Sequence, residues 1–404
     1  MSEVEHKNEC CKKNCDKSGC SKKKCKKLKR KLKKSELENE LLKEELEKCK
    51  NEIGNTVFCR PFHVVLDFDS NKLGAVTALT PNQLITAYGF NLSTPKPLGR
   101  GAKIAIIGAY YYSTLQADLN TYLTRFGLPA KTVKIANLAG NVTNDSWKIE
   151  LALDVQTIAA LVPGADILVV FSKSNSFNDL AAGIKYAVSA GYKVISNSWG
   201  ATEFSSESMF NSTFNNTTVS YIFASGDTGG TTSYPSAAPN VLSVGGTTLS
   251  LNPNNSIQLQ SSWQNAGAGP SRYIAKPGYQ SNLPGTTRLT PDISAVANPQ
   301  SGLTIYVSGR GYLIVGGTSL AAPIAAAVIT IANSKRTGKS TLTTNTQLQK
   351  YLYKTIYVNS RAYANNFYDI TVGSVGNIPC KIGYDGCGLG AFKTNVVTQS
   401  LVNA

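Results

Sequence analysis

The run Gly316-Gly317-Thr318-Ser319 places a serine hydroxyl directly before an apolar, alanine-rich stretch over residues 320–332. The two glycines allow a sharp turn, and the stretch that follows is typical of a buried helix. A serine at the start of a helix lies beside free backbone N–H groups and the positive end of the helix dipole. Such donors would stabilise an oxyanion, so Ser319 is a candidate nucleophile. An ordinary N-terminal cap on a core helix would give the same pattern.

The histidine content limits which base could activate this serine. The chain has 2 histidines, His6 and His63, and both lie far upstream of Ser319. We therefore do not expect a Ser-His-Asp triad. A carboxylate would have to accept the proton, which implies acidic working conditions.

Glu150 and Asp154 have the spacing that this task needs. They are one helical turn apart on a helix predicted over residues 146–161, so they share a face. The rest of that helix is largely apolar, and two like charges there cost stability unless they share a proton or a function. A pair of surface acids on an amphipathic helix is the alternative interpretation.

Asp227 lies in the turn Ser225-Gly226-Asp227-Thr228-Gly229, directly after a predicted buried strand. Its side chain could stabilise the loop as an Asx-turn. A protonated carboxyl at this place could instead donate a hydrogen bond to an oxyanion.

The elements that would position these residues form an alternating series. Helices are predicted over residues 80–88, 114–126, 146–161 and 179–190, and strands over 104–107, 165–171, 193–197, 219–224 and 241–244. Buried β-branched runs between helices predict an α/β fold with a mostly parallel sheet and helices on both faces. In such sheets the active site gathers at the carboxyl ends of the strands, where the Asp227 turn lies.

The first part of the chain has a different composition. The formal net charge is +16, and much of this excess lies in a lysine-dense run over residues 12–34. Residues 1–27 are expected to be a disordered, basic, cysteine-rich tail. The tail could contact an acidic partner or nucleic acid, and its cysteines could bind zinc through a weak pattern.

Residues 28–54 carry a heptad pattern that predicts a short coiled-coil helix and self-association. The seam consists of Leu28, Leu32, Ser35, Asn39, Leu42, Leu46, Cys49 and Ile53. A single exposed helix is the alternative. Residues 55–78 are predicted to be a connector, and 79–404 the main domain. We expect no membrane span and recognise no secretory signal.

Taken together, the motifs resemble the sedolisin family of serine-carboxyl peptidases, whose fold is similar to that of subtilisin. The resemblance covers roughly residues 79–404. It implies a serine-type endopeptidase that forms an acyl-enzyme on Ser319 at acidic pH, with polypeptides as substrates. Glu150 would be the general base and Asp154 would orient it. Asp227 and the Ser319 N–H group would form the oxyanion hole.

The resemblance also implies one structural Ca²⁺ ion near the C-terminus. Its ligands would be Asp369, Ile370, Lys381, Gly383 and Asp385. Carboxylate and carbonyl oxygens suit calcium. Lys381 stands where the family usually has glycine, although a backbone carbonyl survives that change.

Two other functions stay open at this point. The domain could be an inactive peptidase-like scaffold that serves binding or assembly through the basic N-terminal region. The chain could also be a nucleic-acid-binding protein that merely carries this domain. The compartment is not indicated, but acid-dependent activity would require an acidic one.

Overall fold

The computed structural model describes residues 57–66, 78–92, 95–381 and 385–404. The predicted tail (1–27) and coiled-coil helix (28–54) lie outside these residues. The chain divides into two compact units. In the smaller one, Phe58 forms an isolated antiparallel β-bridge with Ser176. The Phe177 N–H group there donates to the Val57 carbonyl at 2.7 Å. The larger unit comprises Cys59–Asn175 and Asp179–Ala404, and it carries all the predicted site residues that the structure describes.

The described helices are numbered in chain order. They are α1 (Pro81–Tyr88), α2 (Leu115–Arg125), α3 (Asp145–Leu161), α4 (Phe177–Ser189), α5 (Thr318–Lys335), α6 (Leu348–Tyr351), α7 (Ser360–Asn366) and α8 (Thr394–Asn403). Short 3-10 helices occur at Glu207–Phe214, Gly278–Gln280 and Pro299–Ser301, and a π-helical turn at Leu352–Ile356. Among the described residues, no helix has the length and apolar character to cross a membrane.

The described strands are also numbered in chain order. They are β1 (Arg60–Pro61), β2 (Val64–Val65), β3 (Lys103–Ala109), β4 (Lys134–Asn137), β5 (Asp166–Ser172), β6 (Val194–Asn197), β7 (Trp199–Thr202), β8 (Ser220–Ala224), β9 (Ser233–Tyr234), β10 (Leu242–Leu251), β11 (Ile257–Ser262), β12 (Gly269–Ala275), β13 (Thr287–Thr290), β14 (Ile293–Val296), β15 (Leu303–Val307), β16 (Gly311–Gly316), β17 (Phe367–Tyr368), β18 (Ser374–Val375), β19 (Ile378–Pro379) and β20 (Ala391–Phe392).

The central sheet has the order β11-β10-β8-β6-β3-β5-β4, and β14 also pairs with β10. All of its pairings are parallel except that of β11 with β10. Every residue of β6 and β8 is buried. Successive residues of a strand point to opposite faces, so both faces of the sheet are covered. The predicted α/β fold with a mostly parallel sheet is confirmed.

The two helices that carry Glu150 and Ser319 pack against each other and lie in the core. In α3, the Asn144 side chain caps the first turn by accepting from the Trp147 N–H group. In α5, residues 318–332 are all buried, as the alanine-rich pattern predicts. Pro323 lies further into α5 than the first turn.

Residues 60–65 contribute one short strand to each of two small sheets. Strand β1 pairs antiparallel with β7 in the sheet β1-β7-β9. Strand β2 pairs antiparallel with β16 in the sheet β15-β16-β2. This part of the predicted connector therefore packs into the larger unit.

Candidate active site

Ser319 is the second residue of α5, after Gly317 as the N-terminal cap. Its hydroxyl donates to Oε2 of Glu150 at 3.0 Å and to the Ser198 carbonyl at 3.1 Å. Pro323 has no N–H group to donate to the Ser319 carbonyl, four residues earlier in the helix. The Ser198 hydroxyl donates to that carbonyl instead, at 3.4 Å. The serine is thereby held with its hydroxyl toward a carboxylate.

Glu150 projects from α3 into a fully buried position, and it is 1% exposed. Its Oε2 atom accepts the Ser319 hydroxyl, while its Oε1 atom is buried without a hydrogen-bond partner. Burial raises the pKa of this carboxyl well above its usual value. The Ser319 hydrogen bond opposes that rise and the charge of Asp227 adds to it. A carboxyl in this setting holds a proton readily.

Asp154 lies one turn further along α3 and is equally buried. Its Oδ1 atom accepts a hydrogen bond from the Ser198 hydroxyl at 2.7 Å. Burial raises the pKa of Asp154, and the neighbouring Glu150 charge raises it further. The protonation state of Asp154 therefore depends on that of Glu150.

Ser198 connects these groups, although it is not among the site residues predicted from the sequence. Its hydroxyl bonds Asp154 and the Ser319 carbonyl, and its own carbonyl accepts from the Ser319 hydroxyl. Ser198 follows the predicted strand 193–197, and residues at the carboxyl ends of parallel strands often line an active site. This position is the signal that could have marked Ser198 as a site residue.

Asp227 approaches the same place from the loop after β8. Its Oδ1 atom accepts from the N–H group and the hydroxyl of Thr318, both at 2.8 Å. Its Oδ2 atom is buried and has no partner. Burial raises the pKa of Asp227 to about 7, against the lowering effects of the Thr318 hydrogen bonds and of the charges of His63 and Arg60.

Gly317 allows the Asp227 carboxyl to lie close to the backbone at the start of α5. Its φ of 96° is one that other residues rarely adopt. A Cβ atom here would lie 2.7 Å from Oδ2 of Asp227 and 2.2 Å from the carbonyl oxygen of Phe62. The unpartnered oxygen of Asp227 and the Phe62 carbonyl thus flank the same glycine.

Residues 59–66, which we term the cleft segment, contact Ser319, Ser198 and Glu150. The Ser319 N–H group donates to the Phe62 carbonyl at 2.9 Å, and the Phe62 N–H group donates to the Ser198 carbonyl at 3.0 Å. The Nδ1 atom of His63 lies 2.8 Å from Oε2 of Glu150. An imidazole at this place contradicts the expectation from the sequence, because no local pattern around His63 predicts its position. Glu150 nevertheless remains the partner of the Ser319 hydroxyl.

The predicted calcium ligands lie in the C-terminal part of the chain, and Gly383 is outside the described residues. Asp369 accepts from the Tyr363 hydroxyl at 2.9 Å, and Asp385 accepts from the N–H groups of Lys381 and Cys387. Burial is the main cause that raises the pKa of Asp385 to about 6, and the charge of Asp369 contributes. Two carboxylates that repel each other fit a cation in charge and in donor chemistry. Ile370, the residue after Asp369, is buried.

A second group of side chains that could hold a metal ion overlaps this region. Ligand atoms of Cys380, Asp385 and Cys387 all lie within 4.8 Å of one another. The two sulfur atoms are 2.8 Å apart.

Comparison with known proteins places these features in a family. The model of the subtilase family (Peptidase_S8) matches residues 134–377. Kumamolisin from Bacillus sp. (strain MN-32) is 30% identical over 345 residues, which cover 75% of this chain and 59% of kumamolisin. Sedolisin from Pseudomonas sp. (strain 101) is 40% identical over 104 residues, or 23% of this chain and 18% of sedolisin. This chain thus spans less than two thirds of these relatives.

A solved structure shares the fold. It is Pseudomonas sedolisin (serine-carboxyl proteinase) complexed with two molecules of pseudo-iodotyrostatin, with a TM-score of 0.68 and 23% identity. The match covers 82% of this chain and 99% of that chain.

Proposed function

We infer, from the premise that this chain belongs to the subtilase family as a sedolisin-like member, that it is a serine-type endopeptidase acting on polypeptides at acidic pH. The observation that carries this proposal is the 3.0 Å hydrogen bond from the Ser319 hydroxyl to the buried Glu150 carboxylate. A nucleophile and a base within such reach are the minimum for acyl transfer.

Ser319 and Glu150 perform the first step in this proposal. The Ser319 Oγ atom attacks the substrate carbonyl carbon while Oε2 of Glu150 accepts the hydroxyl proton. Glu150 then returns that proton to the leaving amine, which leaves an acyl-enzyme ester. Water hydrolyses the ester by the reverse sequence of proton transfers. The raised pKa of Glu150 supports this role, because a base must hold the proton between the two transfers.

Asp154 acts through Glu150 rather than on the substrate. Its charge state is coupled to that of Glu150, and Ser198 fixes its carboxyl by a hydrogen bond. Asp154 is therefore a positioning residue that acts through Glu150.

Asp227 and the Ser319 N–H group form the oxyanion hole in this proposal. The N–H group already donates to a carbonyl at 2.9 Å, a distance that suits such a donor. The unpartnered Oδ2 atom of Asp227 would supply a second donor if it carries a proton. Because the pKa of Asp227 is about 7, that proton is present at acidic pH.

A structural Ca²⁺ ion is a further part of the proposal. Asp369 and Asp385 would hold it with backbone carbonyls from the predicted set, namely Ile370, Lys381 and Gly383. The ion would neutralise two mutually repelling carboxylates and thereby stabilise the C-terminal segment.

The test is digestion of a peptide library across pH with the wild-type chain and with two variants. Wild type should cleave peptides in the acidic range. Ser319→Ala should lose cleavage while it stays folded. Glu150→Gln should do the same, since no other basic group among the described residues contacts the Ser319 hydroxyl. Turnover close to wild type in either folded variant would reject the proposed mechanism.

A further inference from the structure

We propose that Cys380 and Cys387 form a reversible disulfide, which holds the C-terminal hairpin (strands β18 and β19) in place against the loop that carries Asp227. The cross-link itself does not depend on the proposed peptidase function. Its effect on turnover does rest on that function, because Asp227 is assigned to the oxyanion hole there.

The two sulfur atoms are in contact, at a separation of 2.8 Å. Both side chains are buried, and Cys380 is 6% exposed while Cys387 is 1% exposed. A disulfide bond is about 2.0 Å long, so the atoms need to approach by only about 0.8 Å. Two thiolates on a tetrahedral zinc ion would lie about 3.8 Å apart. The separation therefore favours a disulfide over a shared metal ion.

Asp385 draws together the backbone next to the two cysteines. Its Oδ2 atom accepts from the N–H group of Lys381, the residue after Cys380. Its Oδ1 atom accepts from the N–H group of Cys387 itself at 3.1 Å. One carboxylate thus holds both ends of this short segment, so the fold brings the sulfur atoms together before any bond forms between them.

Cys387 is tied to the central sheet. Its carbonyl accepts a hydrogen bond from the hydroxyl of Ser294, a residue of β14, at 3.0 Å. Two residues further on, the Leu389 N–H group donates to the Asp292 carbonyl at 2.8 Å. Cys387 is therefore the fixed end of the proposed cross-link.

Cys380 follows the C-terminal hairpin directly. Val375 pairs with Ile378 in the hairpin, and the Cys380 N–H group donates to the Gly373 carbonyl at 2.9 Å. Each strand has only two residues. A hairpin of this size is marginally stable by itself. A covalent bond from its last residue to Cys387 would therefore restrict its movement.

The tip of the hairpin packs on the loop that carries Asp227. A Cβ atom on Gly376 would lie 2.7 Å from the Gly229 carbonyl oxygen and 2.9 Å from the Gly230 nitrogen. The Gly376 N–H group also donates to the Gln264 carbonyl at 2.8 Å. Backbone thus touches backbone here, and a movement of the hairpin changes the space that holds the Asp227 loop in place.

The oxidant for this bond is a low-molecular-weight disulfide such as glutathione disulfide. The sulfur of Cys380, the more accessible of the two, attacks one sulfur of the oxidant and releases one small thiol. The sulfur of Cys387 then attacks that of Cys380 and releases the second. The two thiol protons of the protein end on the two released thiols, and two electrons pass to the oxidant. A dithiol reductant reverses both steps.

Trypsin gives a direct test, because Lys381 lies between the two cysteines. The Ser319→Ala chain, which should not digest itself, is equilibrated with glutathione disulfide or with dithiothreitol, alkylated in denaturant and digested. Cleavage after basic residues produces the peptides 362–381 and 382–393, each with one cysteine. The oxidised sample should contain them joined, at the sum of their masses less two hydrogens. The reduced sample should contain them separate and alkylated.

Three results of this digest would reject the disulfide. They are separate, alkylated peptides in the oxidised sample, a bond from either peptide to any other cysteine, and two thiols that take up added zinc and resist oxidation. Cys59→Ser is the matched control, since Cys59 is the other buried cysteine among the described residues. It should still form the cross-link, whereas Cys387→Ser should not.

Thermal unfolding checks the effect on stability. The reduced Ser319→Ala chain should have a Tm lower than the oxidised one by on the order of 3 °C, because the closed loop is short. The comparison uses one chain in two redox states, so it does not depend on whether a cysteine variant folds. Equal Tm values for a chain that forms the bond would reject its role in holding the hairpin.

Two measurements test the link to the Asp227 loop. In the reduced Ser319→Ala chain, the amides of residues 374–380 and 228–231 should exchange faster than in the oxidised chain. In wild type, reduction should lower kcat with KM unchanged, by up to about 100-fold, which is what a misplacement of about 1 Å can cost. Equal exchange and equal kcat in the two states would reject this link. If no form of the chain hydrolyses peptides, the peptidase proposal fails, while the digest and the exchange still decide the present one.

Discussion

Nδ1 of His63 lies 2.8 Å from Oε2 of Glu150, the oxygen that also accepts the Ser319 hydroxyl. Burial lowers the pKa of His63 to about 4, and the negative charge of Asp227 opposes this shift. The docked histidine is therefore neutral over most of the acidic range.

Acid is expected to loosen the cleft segment through this histidine. A free His63 takes up its proton near pH 6.5, whereas the docked one does so only near pH 4. Docking is therefore fully favoured above about pH 6.5 and weakens as the pH falls to 4, by up to about 3 kcal/mol. Hydrogen exchange of residues 62–66 in the Ser319→Ala chain, corrected for intrinsic rates, should show falling protection over this range.

A matched variant tests whether His63 causes this pH dependence. In the Ser319→Ala background, His63→Phe should remove most of this pH dependence. Protection that stays constant from pH 7 to pH 4 with His63 in place would contradict the role given to its protonation.

Replacement of Asp227 should separate hydrogen-bond donation from charge. Asp227→Asn keeps a donor that does not titrate, so it should retain more activity than Asp227→Ala. Loss of one oxyanion donor typically costs about 100- to 1000-fold in turnover, which is the expected loss in Asp227→Ala. Wild type should have a bell-shaped rate profile with its maximum at acidic pH.

The pH profile of Asp227→Asn gives the sharper measurement. Its basic limb should move to higher pH, because the group with a pKa of about 7 is gone. Equal peptide hydrolysis by Asp227→Ala and wild type, or a wild-type optimum near neutral pH, would rule out a protonated Asp227 as donor.

The Asp227 carboxyl should make the folded domain more stable in acid than at neutral pH. Asp227 has a pKa of about 7 when folded and 3.8 as its ordinary value, so its contribution is full below about pH 4 and is lost as the pH rises through 7. This difference corresponds to up to about 4 kcal/mol. Thermal unfolding of Ser319→Ala should show a Tm that falls between pH 4 and 7. Adding Asp227→Asn should flatten part of that slope.

Calcium removal should lower the Tm if Asp369 and Asp385 hold the ion, because a ligand bound only by the folded state stabilises it. A chelator should therefore lower the Tm of Ser319→Ala, and calcium should restore it. Asp385→Ala should remove this sensitivity. Melting curves that do not change with chelator would count against the site, and Lys381→Gly would then test whether that lysine prevents binding.

The local sequence pattern predicted those candidate residues whose positions are set by a single helix. The Gly-Gly-Thr-Ser run leads directly into α5, and the spacing of Glu150 and Asp154 puts both on one face of α3. Helical and strand periodicity are local properties, so the predicted helices and central strands agree closely with the observed ones. The capping box of Thr80 and Gln83 at the start of α1 is a further local feature.

The position of the cleft segment was decided only by the tertiary structure. Strands β1 and β2 have two residues each, which is too short for a periodic pattern to predict them. Their partners, β7 and β16, are far away in the chain. Main-chain pairing of this kind depends on where the folded domain offers a free sheet edge, and sequence spacing does not contain that information. The sequence therefore predicted Ser319 and the three carboxyls as candidate groups, while the fold alone brought Phe62 and His63 to them.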